Sequence, residues 1–161
     1  MKNEADCQTW LSTQTLPSLF FDGAAKGNPG TAGAGGLIIN PDETTVHRFA
    51  WGLGHSSSIQ AEAMTLFQGI KFLKELVYKE ANVFGDSQVI IQAMATNSKP
   101  VNLQLARIIS RIKGMTKSMN LKYFHVLRMN NKEADNKANK AAHLVVGSFL
   151  RDNEILWDPI P

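Results

Sequence analysis

The hydrophobic period of the chain changes near residue 58, and that change limits the folds open to it. Upstream lie three strand-like segments, about Leu19 to Ala24, Gly33 to Asn40 and Thr45 to Leu53, with Pro41-Asp42-Glu43 reading as a turn between the last two. Connections this short favour an antiparallel meander. Downstream, Met64, Phe67, Ile70 or Lys71, Leu73 and Leu76-Val77 recur every three to four residues. That spacing predicts a long amphipathic helix from about Ser58 to Tyr78, with Glu62 in its early turns.

The rest of the chain alternates between the two periods. Ala81 to Gly85 reads as a short strand, followed at Asp86-Ser87 by a helix for which Ser87 is the N-cap. Asn102 to Ser118 predicts a further helix with Leu103, Leu105 or Ala106, Ile108-Ile109 and Ile112 as its inward stripe. Leu121 to Leu127 reads as a last strand and Asn130 to Leu144 as a last helix, where Asn130 and Glu133 have the spacing of a capping box. Three antiparallel strands, a crossover helix and two later strands describe an α/β protein with a mixed five-stranded sheet covered by helices. Residues 1–17 are polar and aperiodic and read as a leader, 18–147 as the domain, and 148–161 as a C-terminal tail outside this plan.

Composition narrows the class. A chain of 161 residues with 43% apolar and 19% charged residues is the size of one domain with a sizeable core. Its apolar runs are far shorter than the roughly 20 residues that span a bilayer, and Asn3, Glu4 and Asp6 precede any apolar stretch, unlike a signal peptide. The single cysteine, Cys7, provides neither an internal disulfide nor a cysteine metal site. These features predict a soluble intracellular monomer, cytoplasmic or nuclear, with no membrane partner.

The net charge of +3 is too small to indicate nucleic-acid binding, but its distribution is uneven. From Lys99 to Lys122 there is no acidic residue, while Lys99, Arg107, Arg111, Lys113, Lys117 and Lys122 all fall there. Two readings fit this run: a solvated helix face, or a stripe that faces phosphates.

Four acids occupy strand ends or helix starts: Asp22, Glu62, Asp86 and Asp135. Asp22 follows the buried-strand run Leu19-Phe20-Phe21, where an uncompensated carboxylate costs several kcal/mol, roughly. If Asp22 and Asp86 mark the common carboxyl ends of two parallel neighbouring strands, a sheet edge gathers them. Carboxylates packed in one pocket either take up protons or hold divalent cations, and an all-oxygen set suits Mg²⁺ or Mn²⁺ better than Zn²⁺. Each acid alone is equally compatible with an ordinary strand-end or first-turn charge.

Their contexts are more specific. Asp22-Gly23 leads into Gly27-Asn28-Pro29-Gly30; Gln60-Ala61-Glu62, Gly85-Asp86-Ser87-Gln88 and His125-Val126-Leu127-Arg128 follow, the last leading to Asn131-Lys132-Glu133-Ala134-Asp135. In this order they resemble the four acidic motifs of type 1 ribonuclease H, and with Trp51-Gly52-Leu53-Gly54 they are similar to the form found in plants and plant retrotransposons. The resemblance covers about Leu19 to Leu144.

It implies a ribonuclease H-like fold with strand order 3-2-1-4-5 and an endoribonuclease that cleaves the RNA strand of RNA/DNA hybrids with two Mg²⁺, or Mn²⁺ as a substitute. By that resemblance Asp22, Glu62, Asp86 and Asp135 are the catalytic metal ligands, with Asp22 bridging both ions. Glu62 also touches a ribose 2′ hydroxyl, and the products carry a 5′ phosphate and a 3′ hydroxyl. Substrate contacts fall to Gly23, Lys26, Gly27, Asn28, Pro29, Gly30, Ser57, Ser58, Gln60, Ser87, Arg128 and Asn131. The loop histidine of bacterial members has no counterpart between Arg128 and Asp135, leaving Arg128 as the substitute, while His125 reads as a structural residue held by the strand pleat. The basic protrusion of those members is replaced by Thr96-Asn97-Ser98-Lys99-Pro100. A reverse transcriptase or other nucleic-acid-binding domain in a longer parent protein is an expected partner. The competing reading is a catalytically weak or inactive nucleic-acid-binding ribonuclease H-like module of a retroelement-derived protein. Proofreading exonucleases, transposases and integrases gather acids on such a sheet but lack the Asp-Gly turn leading into Gly-Asn-Pro-Gly, and no phosphate-loop lysine motif supports a kinase.

Overall fold

The computed structural model describes residues 16–27, 30–41, 46–96, 99–126, 148–151 and 154–157. Strands β1 (Ser18–Gly27), β2 (Gly30–Ile39) and β3 (Val46–Ser56) form the antiparallel meander. Helix α1 (Ser58–Glu75) then leads to β4 (Glu80–Gly85), α2 (Gln88–Ala95), α3 (Leu103–Met115) and β5 (Asn120–His125). Two short strands, β6 (Ser148–Arg151) and β7 (Glu154–Trp157), end the described chain. The helix expected over 130–144 lies outside the described residues.

The sheet order is β5-β4-β1-β2-β3-β6-β7. Its first five members reproduce the expected 3-2-1-4-5 arrangement, with β4 parallel to both β1 and β5. The additional pair comes from the segment that the periodicity leaves unassigned. There β6 joins β3 antiparallel, with Ala50 opposite Leu150, and β7 folds back on β6. This hairpin covers the edge that β3 would otherwise present.

Side-chain alternation divides the core between the two faces of the sheet. Leu19 and Phe21 of β1 pack with Ile38, Phe49, Val83 and the inward face of α1, where Leu66, Ile70 and Leu73 are fully buried. Phe20 joins Leu37, Phe84 and Val126 in a separate cluster, its ring stacked on Phe84 at 4.7 Å between centroids. In α3 the buried stripe is Leu105, Ile109 and Ile112. Leu103, expected to point inward, is 65% exposed. At 100° per residue, positions 105, 109 and 112 share one face, and position 103 falls well away from it.

Two local irregularities shape the fold. In β3 the register against β2 shifts so that Ala32 faces Gly54 and Gly33 faces Gly52, leaving Leu53 as an extra residue beside a glycine with φ 78°. The Trp51-Gly52-Leu53-Gly54 motif is therefore a β-bulge. At the end of α1, the amide of Val77 donates to the carbonyl of Lys74 and that of Tyr78 to the carbonyl of Leu73. These two bonds make a Schellman cap, with Val77 in the left-handed position usually held by glycine.

Candidate active site

The parallel β1/β4 ladder places two of the acids together. Phe21 lies opposite Gly85, so the next residues, Asp22 within β1 and Asp86 in the bend after β4, emerge as neighbours at the same end of the sheet. The chain turns from strand to helix at once after Asp86, because the Ser87 hydroxyl accepts the amide of Ile90 at 3.4 Å and caps α2. The third acid arrives by close packing. A Cβ at Gly23 would lie 2.3 Å from the amide nitrogen of Glu62 and 2.4 Å from the carbonyl carbon of Ala61. Only glycine lets the start of α1 rest on β1 at this point. One ligand oxygen each from Asp22, Glu62 and Asp86 then lies within 4.8 Å of the others.

These carboxylates are largely withdrawn from water. Asp22 is fully buried, Glu62 is 9% exposed and Asp86 is intermediate. The amide of Gly23 donates to Asp22 Oδ1 at 3.0 Å. The atoms Asp22 Oδ2, Glu62 Oε2 and Asp86 Oδ2 are shielded from solvent and accept no hydrogen bond among the described residues, although all three residues make other polar or electrostatic interactions. Three carboxylates this close repel in a low-dielectric setting, and a cation or a proton relieves the repulsion. Their all-oxygen donor set fits a hard divalent cation. Asp135, the fourth acid, lies outside the described residues.

The other expected contacts divide into three groups. Ser57 is the N-cap of α1, its hydroxyl accepting the Gln60 amide at 3.2 Å while the Ser57 amide donates to Gln60 Oε1 at 3.4 Å. Both side chains thus serve a capping box two residues before Glu62, and Ser58 is the first helical residue. Gly23 and Gly30 are buried in β1 and β2, Lys26 and Gly27 end β1, and Ser87 caps α2. Asn28, Pro29, Arg128 and Asn131 lie outside the described residues.

Two residues near the acids carry no periodicity signal. His125 Nε2 lies 3.1 Å from the backbone carbonyl oxygen of Asp86. In the sequence the only pointer is register, since His125 lies opposite Gly85 once β5 is known to run parallel to β4. Gln104, in the first turn of α3, accepts a hydrogen bond from Gln60 Nε2. Nothing local in the sequence links two glutamines 44 residues apart.

A family model described as reverse transcriptase-like matches residues 20–141. A candidate ribonuclease H protein of Arabidopsis thaliana is 31% identical over 144 residues, which is 88% of this chain and 22% of that protein. Ribonuclease HI of Halobacterium salinarum is 28% identical over 124 residues, covering 76% of this chain and 62% of that one. The chain thus spans less than two thirds of the length of either relative. Among solved structures, a compost-derived RNase H1 in complex with RNA/DNA hybrid superposes with a TM-score of 0.73 at 27% identity, over 78% of this chain and 96% of that one. Family model, relatives, strand order and clustered acids agree. The chain belongs to the type 1 ribonuclease H family.

Proposed function

We propose that this chain is an endoribonuclease that hydrolyses the RNA strand of RNA/DNA hybrids with two divalent cations, Mg²⁺ being the ordinary one, and leaves 5′-phosphate and 3′-hydroxyl ends. The observation that carries the reading is the convergence of Asp22, Glu62 and Asp86 ligand oxygens within 4.8 Å at one end of a sheet. Hybrid as substrate is supported by family membership and by the hybrid present in the similar RNase H1 structure.

Divalent cations bound at such carboxylates polarise the scissile phosphate and offset charge on the attacking and leaving oxygens. Asp22, Glu62 and Asp86 would hold them, with Asp135 as the fourth ligand supplied by the family resemblance. Asp22, on β1 between β4 and β2, would by the family resemblance be shared by both ions. Glu62 would recognise the ribose 2′ hydroxyl, the group that separates RNA from DNA. The capping box of Ser57 and Gln60 fixes the helix start that carries Glu62, and the Gly27 to Gly30 segment would let backbone amides approach the sugar-phosphate chain.

Cleavage of an end-labelled RNA/DNA hybrid in Mg²⁺ by the wild type, Asp22→Asn and Asp86→Asn tests the reading. Wild-type cutting with a loss of more than about 100-fold in both variants is expected. Equal activity in all three proteins, or none in any, overturns it.

A further inference from the structure

One basic feature of the molecule is not used by the carboxylate site. A groove of about 540 Å³ runs along α3, lined by Lys99, Leu103, Arg107, Ile109, Ser110 and Lys113 among others. We infer that this groove binds the sugar-phosphate backbone of the hybrid outside the cut position. The ligand's identity rests on the proposed function; the groove's polyanion chemistry does not.

The structure separates the basic run of the sequence into different tasks. Arg111 lies over the ring of Phe67, 5.5 Å from its centroid, and joins α3 to α1. Lys117 and Lys122 do not line the groove, which takes Lys99, Arg107 and Lys113. Lys113 is half-buried and donates to the carbonyl of Thr96 at 2.9 Å, an anchor that holds its ammonium at the groove wall. Lys99 and Arg107 are exposed. No acidic residue occurs between positions 99 and 122 to neutralise them locally. Leu103, with Pro100 and Ala106 beside it, supplies apolar surface against which a sugar face can rest, which also accounts for a leucine left 65% exposed.

Length and position both suit a nucleic-acid strand. From Leu103 to Lys113 the helix rises about 15 Å, a span over which one strand of a duplex presents about four phosphates. The Gln60–Gln104 hydrogen bond ties the first turn of α3 to the first turn of α1, two residues before Glu62. A strand leaving the carboxylates along α1 therefore reaches the groove without crossing the sheet. An acidic protein segment would satisfy the same cations, but nothing places such a segment beside the carboxylates.

The test measures binding of a fluorescent RNA/DNA hybrid in EDTA, where no cutting competes, across about 50 to 200 mM salt. Wild type is compared with Lys99→Gln/Arg107→Gln and with Lys117→Gln/Lys122→Gln, which removes the same charge elsewhere. The groove variant is expected to bind about 10-fold less tightly and to lose about 1 to 2 from the slope of log K against log salt, while the control stays within about twofold of wild type. Wild-type affinity and slope in the groove variant, or an equal loss in the control, overturns the inference. Wild type that binds with this pattern yet does not cut in Mg²⁺ leaves the groove standing and removes the nuclease reading. Wild type that cuts, with the groove variant unchanged in binding, does the reverse. Wild type that neither binds nor cuts removes both.

Discussion

His125 Nε2 sits 3.1 Å from the backbone carbonyl oxygen of Asp86, across the parallel pairing of β5 with β4. A carbonyl oxygen only accepts, so the ring nitrogen donates. Asp86 lies between the last residue of β4 and the N-cap of α2, in a bend with no ladder of its own, and this bond ties the bend to the neighbouring strand. His125 thereby acts on the site through the position of Asp86.

Replacing His125 by Ala is expected to lower kcat about 10-fold with a smaller change in KM, since a bond worth about 1 kcal/mol is lost and one carboxylate of the cluster is left less well placed. His125→Gln keeps a donor and should recover part of kcat. The side chain is exposed, so urea unfolding of both variants should stay within about 1 kcal/mol of wild type. Equal kcat in wild type and His125→Ala would remove the positioning role.

Gly23 is expected to tolerate no side chain. A Cβ there meets the backbone of Ala61 and Glu62, which cannot move aside without displacing α1 from β1. Gly23→Ala should destabilise the protein by about 1 to 3 kcal/mol in urea unfolding. It should also cut hybrid cleavage more than its residual stability explains, because Glu62 moves away from Asp22. Wild-type stability in this variant would contradict the close approach.

Val77 points to a stabilising change. A β-branched residue at φ 66° in the capping position of α1 costs roughly 1 to 2 kcal/mol, and glycine removes that cost while adding unfolded-state entropy. Val77 is 80% exposed, so little packing is lost. Val77→Gly should raise the urea midpoint by an amount equivalent to about 0.5 to 1 kcal/mol, with activity unchanged. A lower midpoint would count against the cap geometry.

The carboxylate cluster links stability to cations. In EDTA, Asp22→Asn should melt at or above the wild-type Tm, because one of three mutually repelling carboxylates is gone. Adding Mg²⁺ should raise the wild-type Tm by several degrees, since a cation that binds only the folded state stabilises it by mass action. The Asp22→Asn Tm should respond little. A wild-type Tm insensitive to Mg²⁺ and Mn²⁺ would sink the metal assignment independently of any activity assay.

Much of this arrangement was legible in the sequence because it depends on near neighbours along the chain. The switch from strand to helix at Ser58 follows from apolar spacing, and α1, α2 and α3 begin beside the N-caps Ser57, Ser87 and Asn102, whose side chains accept amides from the following turn. Glu62 and Asp86 could be singled out because they sit near the start of a helix and the end of a strand, and Asp22 because it follows the apolar run Leu19-Phe20-Phe21, although β1 continues past it to Gly27. Leu103 points outward for a related reason: apolar character is visible in one dimension, but which side of a helix faces its neighbour is set by packing.

The amino-acid sequence by itself determined the types of element, their order and the chemistry of the acids, since propensity, capping and periodicity act over a few residues. Tertiary structure alone decided what meets across long separations. Parallel register set Asp22 beside Asp86 and His125 against the Asp86 carbonyl, and a side-chain-free Gly23 let α1 bring in Glu62. Pairing with the β3 edge added residues 148–151, which the apolar periodicity leaves unassigned, to the sheet. Each of these contacts joins residues dozens of positions apart, so its energy appears only when the sheet has closed.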